Sequence, residues 1–194
     1  MKTIAKIIRG ITVPPVIVAS LFTILYFFRD GVVPTRLDYL FSLLFLAVVP
    51  VLAYPLQEIV PAFRPGGQKM KRKLAFILSI MGYVAAFVLS LLRGAVPNLV
   101  YIDSVYLCSV VVLTLLNVCT AWHASGHACS IVGPIALLAC FMGWWAILGG
   151  FFVVALSFWS SVYLGRHTVR EYLLGALSPL VSALLMYPIF MPIF

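Results

Sequence analysis

Residues 160–171 form a short polar segment between two long apolar stretches, and they include a histidine and an acid that could act together. His167 and Glu171 are four residues apart, so in a continuous helix they would share one face. A carboxylate in this position can accept one imidazole proton and leave the other ring nitrogen free. The spacing therefore predicts that His167 is a base or a nucleophile held in place by Glu171.

A second polar segment, Trp122–His127, precedes another apolar stretch. Ser125 is suited to cap a helix that starts near Gly126, which would leave backbone N–H groups free at the positive end of that helix. Such an end binds phosphate, and because Gly126 has no side chain, an anion can approach it closely. We expect His127 to stand beside this anion as a proton donor.

A run of basic residues, Lys69–Lys73, lies in the longest polar loop, residues 58–73. We expect Lys69, Arg72 and Lys73 to neutralise phosphate oxygens. With these ligands in place, the second histidine cluster can protonate a leaving alkoxide while His167 attacks phosphorus, and water can then hydrolyse the phosphohistidine. This chemistry requires no metal and no other cofactor.

The composition predicts that helices in a membrane hold these residues. Hydrophobic residues make up 64% of the 194 residues and charged residues 9%, which is more apolar surface than one soluble core of this size can bury. The formal net charge of +8 is large for so few charged residues, and in a membrane protein such an excess usually lies at one water interface. Nucleic acid is not expected as a partner, because no soluble basic domain is present to bind it.

The apolar stretches predict an all-α fold: a polytopic membrane helix bundle of six to seven transmembrane helices in a single domain, residues 1–194. Residues 126–165 would be about 60 Å long as one helix, twice the hydrocarbon thickness, so we expect the chain to fold back near residues 141–145. Pro50 and Pro179 are expected to kink their helices. The other predicted spans are residues 11–28, 37–57, 74–92, 99–121 and 169–190.

Counting spans places all three polar clusters on one side of the membrane. Two spans separate the basic run from His127, and two more separate His127 from His167. The N-terminus falls on the same side. Of the 13 lysine and arginine residues, ten lie on that side, and the positive-inside rule therefore predicts that it is the cytoplasmic side.

The clusters resemble the signatures of the type-2 phosphatidic acid phosphatases, also called lipid phosphate phosphatases. The resemblance covers residues 64–178, and the pair His167-Thr168 is similar to a subgroup of small bacterial and archaeal members. In that subgroup the first signature is a basic cluster ahead of a transmembrane hairpin, as at Lys69–Lys73. The matching residues of the other two signatures are Ser125-Gly126-His127, Ser160, Val162-Tyr163-Leu164-Gly165, His167, Glu171 and Gly175-Ala176.

The resemblance implies that His167 is the nucleophile, Glu171 its orienting carboxylate and His127 the general acid. The implied phosphate ligands are Lys69, Arg72, Lys73, Ser125 and Gly126. The implied activity is metal-independent removal of phosphate from a lipid or prenyl phosphate or diphosphate, in the plasma membrane of a prokaryote. Membrane lipids are then the only other partners expected.

The sequence also departs from the family pattern. Ser161 occupies the place of an arginine six residues before the nucleophile, and Arg166 is the nearest arginine in sequence that can serve as a phosphate ligand. Gln57 stands where the first signature has a lysine ahead of Arg64, and Glu171 replaces an aspartate. If the missing arginine is a deficit, Ser161→Arg should raise phosphatase activity.

Other functions fit the same residues. His123, His127 and Glu171 could hold zinc, as in zinc hydrolases. Ser125 and His167 could form an intramembrane serine hydrolase. A catalytically weak or inactive member that binds or transports a phosphorylated lipid would keep the fold and lose turnover. The basic run can also be a helix flank that faces anionic headgroups, and the histidine–acid pair an interfacial ion pair.

Overall fold

The computed structural model describes residues 1–119 and 123–191, except for the side chain of Gln68. Trp122 and the end of the predicted fourth span at Ala121 lie outside the described residues. Within them the chain is all-helical, as predicted, and contains no strand. A π-helical turn at Leu43–Val48 and a 3-10 segment at Pro61–Gly66 accompany the α-helices, which are α1 Lys2–Ile11, α2 Pro14–Phe28, α3 Arg36–Ser42, α4 Val49–Val51, α5 Ala53–Ile59, α6 Gly67–Leu92, α7 Pro97–Cys119, α8 Gly126–Met142, α9 Trp144–Tyr163 and α10 Val169–Phe190.

Several of these helices are suited to cross a membrane. In the described part of the chain, α6, α7, α9 and α10 are long and apolar enough, and the count rises to six if each of two bent helix pairs forms one span. The bent pairs are α1 with α2, and the segment from α3 to α4 with α5. The helix α8 has 17 residues and is only about 25 Å long, short of the hydrocarbon thickness. The chain is therefore an integral membrane protein by helix length and composition, with up to six full-length spans.

The N-terminal basic segment is a separate amphipathic helix, which the sequence analysis did not predict. The helix α1 meets α2 at an angle of 47°, and two prolines open α2, where their missing N–H groups cost no helical hydrogen bond. On α1, Ile4, Ile7 and Ile11 are more than half exposed, whereas Ala5 is fully buried where α1 packs on α9. The apolar stripe therefore points away from the bundle, where in a membrane protein it meets lipid.

The second predicted span is broken near Pro50, as expected. The helix before Leu52 and the helix after it differ in direction by 41°. Proline in a helix interior removes one backbone hydrogen bond and clashes with the preceding turn, which favours a break at this point. The helix α10, in contrast, continues through Pro179 as one helix.

The basic run lies on a helix rather than in a loop, which corrects the sequence-based prediction. The helix α6 begins at Gly67, so Lys69, Arg72 and Lys73 occupy its first two turns. The predicted span began only at residue 74, after the charged residues, because the prediction followed the apolar stretch alone. Lysine and arginine are good helix formers, and their long side chains can reach the water interface while the helix continues.

The helix α10 packs against α7 and α8. Its face toward these helices carries small residues, Gly175, Ser178 and Ser182, which let neighbouring backbones approach closely. Tyr101 of α7 is buried and donates a hydrogen bond of 3.2 Å to the carbonyl of Ala183. These contacts fix the position of α10, whose N-terminus follows the predicted nucleophile.

A partly buried ion pair lies at the other end of the bundle. Arg93 follows the C-terminus of α6, and its guanidinium is 3.1 Å from the carboxylate of Asp38. Because α6 has 26 residues, its two ends are about 39 Å apart. The Arg93–Asp38 pair is therefore remote from the basic run at the start of α6, and the two polar regions are separate.

Candidate active site

His167 is positioned by the turn that ends α9. Gly165 has a φ of +60°. Its N–H donates a hydrogen bond of 3.0 Å to the carbonyl of Val162, and the Arg166 N–H donates one of 3.0 Å to the carbonyl of Ser161. This pair of hydrogen bonds is a Schellman motif, in which a left-handed glycine stops the helix and satisfies its last carbonyls. The motif reverses the chain direction directly before His167.

A capping box holds His167 from its other side. The Thr168 hydroxyl accepts a hydrogen bond of 3.2 Å from the Glu171 N–H, and the Glu171 carboxylate accepts one of 2.9 Å from the Thr168 N–H. The helix α10 begins at Val169, as the predicted span 169–190 does, so His167 precedes this helix and does not share a continuous helix with Glu171. His167 is fixed between two helix caps.

Glu171 nevertheless faces the His167 ring. Its Oε2 atom lies 3.5 Å from Nδ1 of His167, an ion-pair distance that is longer than a normal hydrogen bond. The same oxygen accepts the capping bond from Thr168. Because Nδ1 faces the carboxylate, Nε2 is the ring nitrogen that is left for a substrate.

The second polar segment is joined directly to this turn. Ser125 caps α8 as predicted, and its hydroxyl accepts a hydrogen bond of 3.2 Å from the Ala128 N–H. The Ser125 N–H donates a hydrogen bond of 2.9 Å to the carbonyl of Glu171. A side chain at Gly175 would overlap the Ser125 carbonyl oxygen, so glycine is required for this close approach. The two segments therefore meet at one end of the bundle, as the count of spans predicted.

His127 stands one residue inside the start of α8 and belongs to the same group. Its ring interacts electrostatically with His167 and with Arg9. Its Nε2 atom is buried and has no hydrogen-bond partner among the described residues. A buried ring nitrogen without a partner costs free energy, and a ligand oxygen beside it would remove that cost.

Of the predicted basic ligands, one arginine acts on a histidine and a second acts on Arg9. Arg72 acts electrostatically on His167 and on Arg9, and Arg166 acts on Arg9. Lys69 and Lys73 are exposed on α6, and within the described residues the structure shows no contact between them and either histidine. Gly126 is exposed at the start of α8, as an anion-binding position requires.

Arg9 is the residue at this site that the sequence analysis missed. Its Nη1 atom donates a hydrogen bond of 2.9 Å to the hydroxyl of Ser161, 152 residues away in the sequence, which is fully buried near the end of α9. The sequence analysis counted Arg9 only as part of a basic N-terminal flank. Arg9 lies four residues after Ala5 and three before Thr12, so the three residues share one side of the helix, and all three are partly or fully buried. This helical spacing of small and polar residues is the sequence signal that could have identified Arg9.

The surrounding cations keep His167 in its neutral form. Burial, followed by the nearby Arg9 guanidinium, lowers the pKa of His167, and Arg72 lowers it further. Glu171 acts in the opposite direction, but the net shift is downward. At neutral pH the ring is therefore uncharged, and its Nε2 lone pair is available as a base or a nucleophile.

The cations of this site have no carboxylate partner among the described residues. The ion pairs in the described part of the chain are Lys71 with Glu58, Arg93 with Asp38, and His167 with Glu171. Guanidinium groups that have no carboxylate partner of their own can bind an anion, and the carboxylate of this site, Glu171, contacts His167 instead. The arrangement can therefore bind a phosphate and present a neutral histidine to it.

The structure bears differently on the two other catalytic alternatives. Ser125 is fully buried and its hydroxyl is the cap of α8, so it is not exposed as a nucleophile for a serine hydrolase. Among the described residues, no three His, Cys, Asp or Glu side chains are arranged to hold a metal ion, and His123 is exposed. Comparisons of the chain with protein-family models, with curated proteins and with solved structures found no match.

Proposed function

We propose that this protein is a membrane-embedded phosphatase of the type-2 phosphatidic acid phosphatase kind, which removes phosphate from a lipid or prenyl phosphate or diphosphate. The observation that carries the proposal is a set of three guanidinium groups near the two histidines: Arg9 acts on both rings, Arg72 acts on His167, and Arg166 acts on Arg9. Among the described residues, no carboxylate lies within 4 Å of any of the three. Arg9 is partly buried and its two cationic neighbours are exposed, so a bound anion would chiefly stabilise the Arg9 charge. Phosphate matches the fork geometry of guanidinium groups.

Catalysis follows from the orientation of the two rings. Nε2 of His167 attacks phosphorus, the bond from phosphorus to the lipid oxygen breaks, and that oxygen takes a proton from His127. Burial and the Arg9 charge lower the pKa of His127 in the free protein, and the bound phosphate dianion raises it so that the ring can carry this proton. Water then attacks the phosphohistidine, the N–P bond breaks with its electron pair returning to His167, and the released water proton goes to His127. The products are the lipid alcohol and inorganic phosphate, and Glu171 stabilises the charge on the His167 ring during both steps.

A lipid substrate is proposed because of where the site lies. The arginines and histidines are at the end of a bundle of apolar helices, and α9, which leads to the site, carries exposed apolar residues that include Phe151, Phe152 and Leu156. A hydrocarbon tail can lie along such a face while the phosphate enters the site. The charge distribution of the sequence favours the cytoplasmic side for this end of the bundle, and the family resemblance suggests the plasma membrane of a prokaryote.

The first experiment measures phosphate release by the purified protein in detergent, with and without a chelator. The panel contains phosphatidate, phosphatidylglycerophosphate, and prenyl mono- and diphosphates. We expect release that is unaffected by the chelator and is lost in His167→Ala, because that variant has no nucleophile. His123→Ala is the matched control: it removes an exposed histidine that the mechanism does not use, and it should keep full activity.

Two results would contradict this proposal. Release that requires a metal and persists in His167→Ala would exclude the phosphohistidine mechanism, and loss of activity in His123→Ala together with that requirement would favour the zinc alternative.

A second candidate function, binding or transport of a phosphorylated lipid without turnover, is favoured by Ser161 at the position of the family's arginine. It predicts that the protein binds orthovanadate but releases no phosphate from any member of the panel.

A further inference from the structure

The amphipathic helix α1 carries one side chain into the proposed site and turns the others away from it. Arg9 is partly buried and hydrogen-bonded to Ser161, whereas Lys2 and Lys6 are exposed. Ala5 is fully buried one turn before Arg9, and Thr12 is buried one turn after it. The packing of α1 on α9 therefore determines where the Arg9 side chain lies.

The surroundings of Arg9 do not balance its charge. Its partner Ser161 is a neutral hydroxyl, and among the described residues no carboxylate lies within 4 Å of the guanidinium. The charged groups that act on it most strongly are two further cations, Arg166 and Arg72. A cation that is partly removed from water and placed beside other cations is destabilised until an anion joins the group.

We infer that Arg9 binds the phosphate of the substrate directly, so that the N-terminal helix α1 completes the phosphate site. This inference rests on the proposed function and adds a ligand to it. One side of the guanidinium is held by the Ser161 hydroxyl, and the remaining N–H groups are left for phosphate oxygens, because arginine has five donors in a fixed fork. The positive charge next to His127 and His167 then also stabilises the phosphoryl group that is transferred between lipid and protein.

The inference changes the outcome expected for Ser161→Arg. The sequence alone suggested that this substitution would repair a missing arginine. Because the Ser161 side chain is fully buried and already holds Arg9, a second guanidinium would have to displace the first. We therefore expect Ser161→Arg to lower phosphate release in the natural protein and to restore it when Arg9 has been removed.

The test compares Arg9→Ala with Lys6→Ala, which removes the same charge from the same helix at an exposed position. The first readout is the dissociation constant of inorganic phosphate, measured by calorimetry on the full chain in lipid nanodiscs. Loss of a charge-assisted hydrogen bond should weaken phosphate binding by about ten- to a hundredfold in Arg9→Ala. Binding in Lys6→Ala should stay within about twofold of the natural protein, and Arg9→Lys should fall between the two because it keeps the charge without the fork.

A second readout separates ligation from a purely structural role of Arg9. Removing the guanidinium raises the pKa of His167, so the acid limb of the activity profile should move to higher pH in Arg9→Ala and stay in place in Lys6→Ala. The double variant Arg9→Ala with Ser161→Arg should recover phosphate binding. A lower melting temperature without these changes would mean that the Arg9–Ser161 bond is only structural.

The two levels of the proposal fail in different ways. If the natural protein binds phosphate and Arg9→Ala binds it equally well, the role of Arg9 is wrong even though the phosphatase proposal stands. If the natural protein binds phosphate through Arg9 but releases none from any lipid phosphate, the phosphatase proposal fails and the role of Arg9 stands. If the natural protein does not bind phosphate at all, both are wrong.

Discussion

Replacing Gly175 with alanine should disrupt the candidate site without removing any side chain that is proposed to act on phosphate. The new Cβ would overlap the Ser125 carbonyl oxygen and would lie 2.9 Å from the carbonyl carbon and the amide nitrogen of the same residue, where ordinary contacts begin at 3.4 Å. These are backbone atoms at the start of α8, so no side chain can rotate away. The overlap with the carbonyl oxygen is the tightest of these contacts, so the start of α8 and the first turns of α10 must separate by about 1 Å.

This separation has two expected consequences. Overpacking of this kind costs about 1–3 kcal/mol of folding free energy. The hydrogen bond from the Ser125 N–H to the Glu171 carbonyl, 2.9 Å long, is stretched, and His127 moves relative to His167. Because misplacement of catalytic groups by about 1 Å can reduce a rate by about a hundredfold, we expect phosphate release to fall by roughly ten- to a hundredfold.

The assay measures phosphate release and the melting temperature on the same preparation. Gly149→Ala is the matched control, because Gly149 lies on α9 and a Cβ added there would have no neighbouring atom within 4 Å. This control should keep full activity and gain about 0.5–1 kcal/mol of helix stability. If Gly175→Ala releases phosphate as fast as the Gly149→Ala control, the contact between Ser125 and α10 does not set the distance between the two histidines, and the reasoning fails.

Two further predictions concern His167 directly. Burial, Arg9 and Arg72 lower the pKa of His167 against the opposing effect of Glu171, and His127 is the other titratable neighbour, so the acid limb of kcat/KM should lie below pH 6.5. Arg72→Gln removes one of these charges and should move the acid limb to higher pH. An unchanged pH profile in this variant would contradict the prediction. Glu171→Gln should keep the capping box, because glutamine can also form it, and should therefore keep the melting temperature. Phosphate release should fall at least about tenfold, because the charge that faces His167 is lost. Equal activity at equal stability would show that Glu171 serves only as a helix cap.

The local features of the fold were largely predictable from the sequence. Apolar stretches identified an all-helical membrane chain, Ser125 was recognised as a helix cap, and the break near Pro50 was expected. Each of these depends on residues within one or two helical turns. The predicted start of α6 was wrong because the apolar pattern begins only after Lys69–Lys73, whereas these residues already favour a helix. The predicted start of the last span at residue 169 agrees with the start of α10.

The meeting of the two histidine segments was predictable in outline only. Counting spans showed that His127 and His167 lie at the same end of the bundle, but it gave no distance and no partner. The contact itself depends on Gly175, whose missing side chain admits the Ser125 backbone. A glycine can occur in a helix for many reasons, and the neighbouring helix decides which one applies.

The sequence by itself determined that the chain is an all-helical membrane protein, the approximate place of most of its helices, and the histidines, carboxylate and basic residues that are proposed to act on phosphate. Only the tertiary structure decided which cations reach the histidines. Lys69 and Lys73 lie in the predicted basic run but remain exposed, whereas Arg9, 152 residues away from Ser161 in the chain, is hydrogen-bonded beside the site. The physical reason is that helix formation depends on neighbours along the chain, while the approach of α1 to α9 depends on how two distant surfaces pack, and local spacing does not encode that fit.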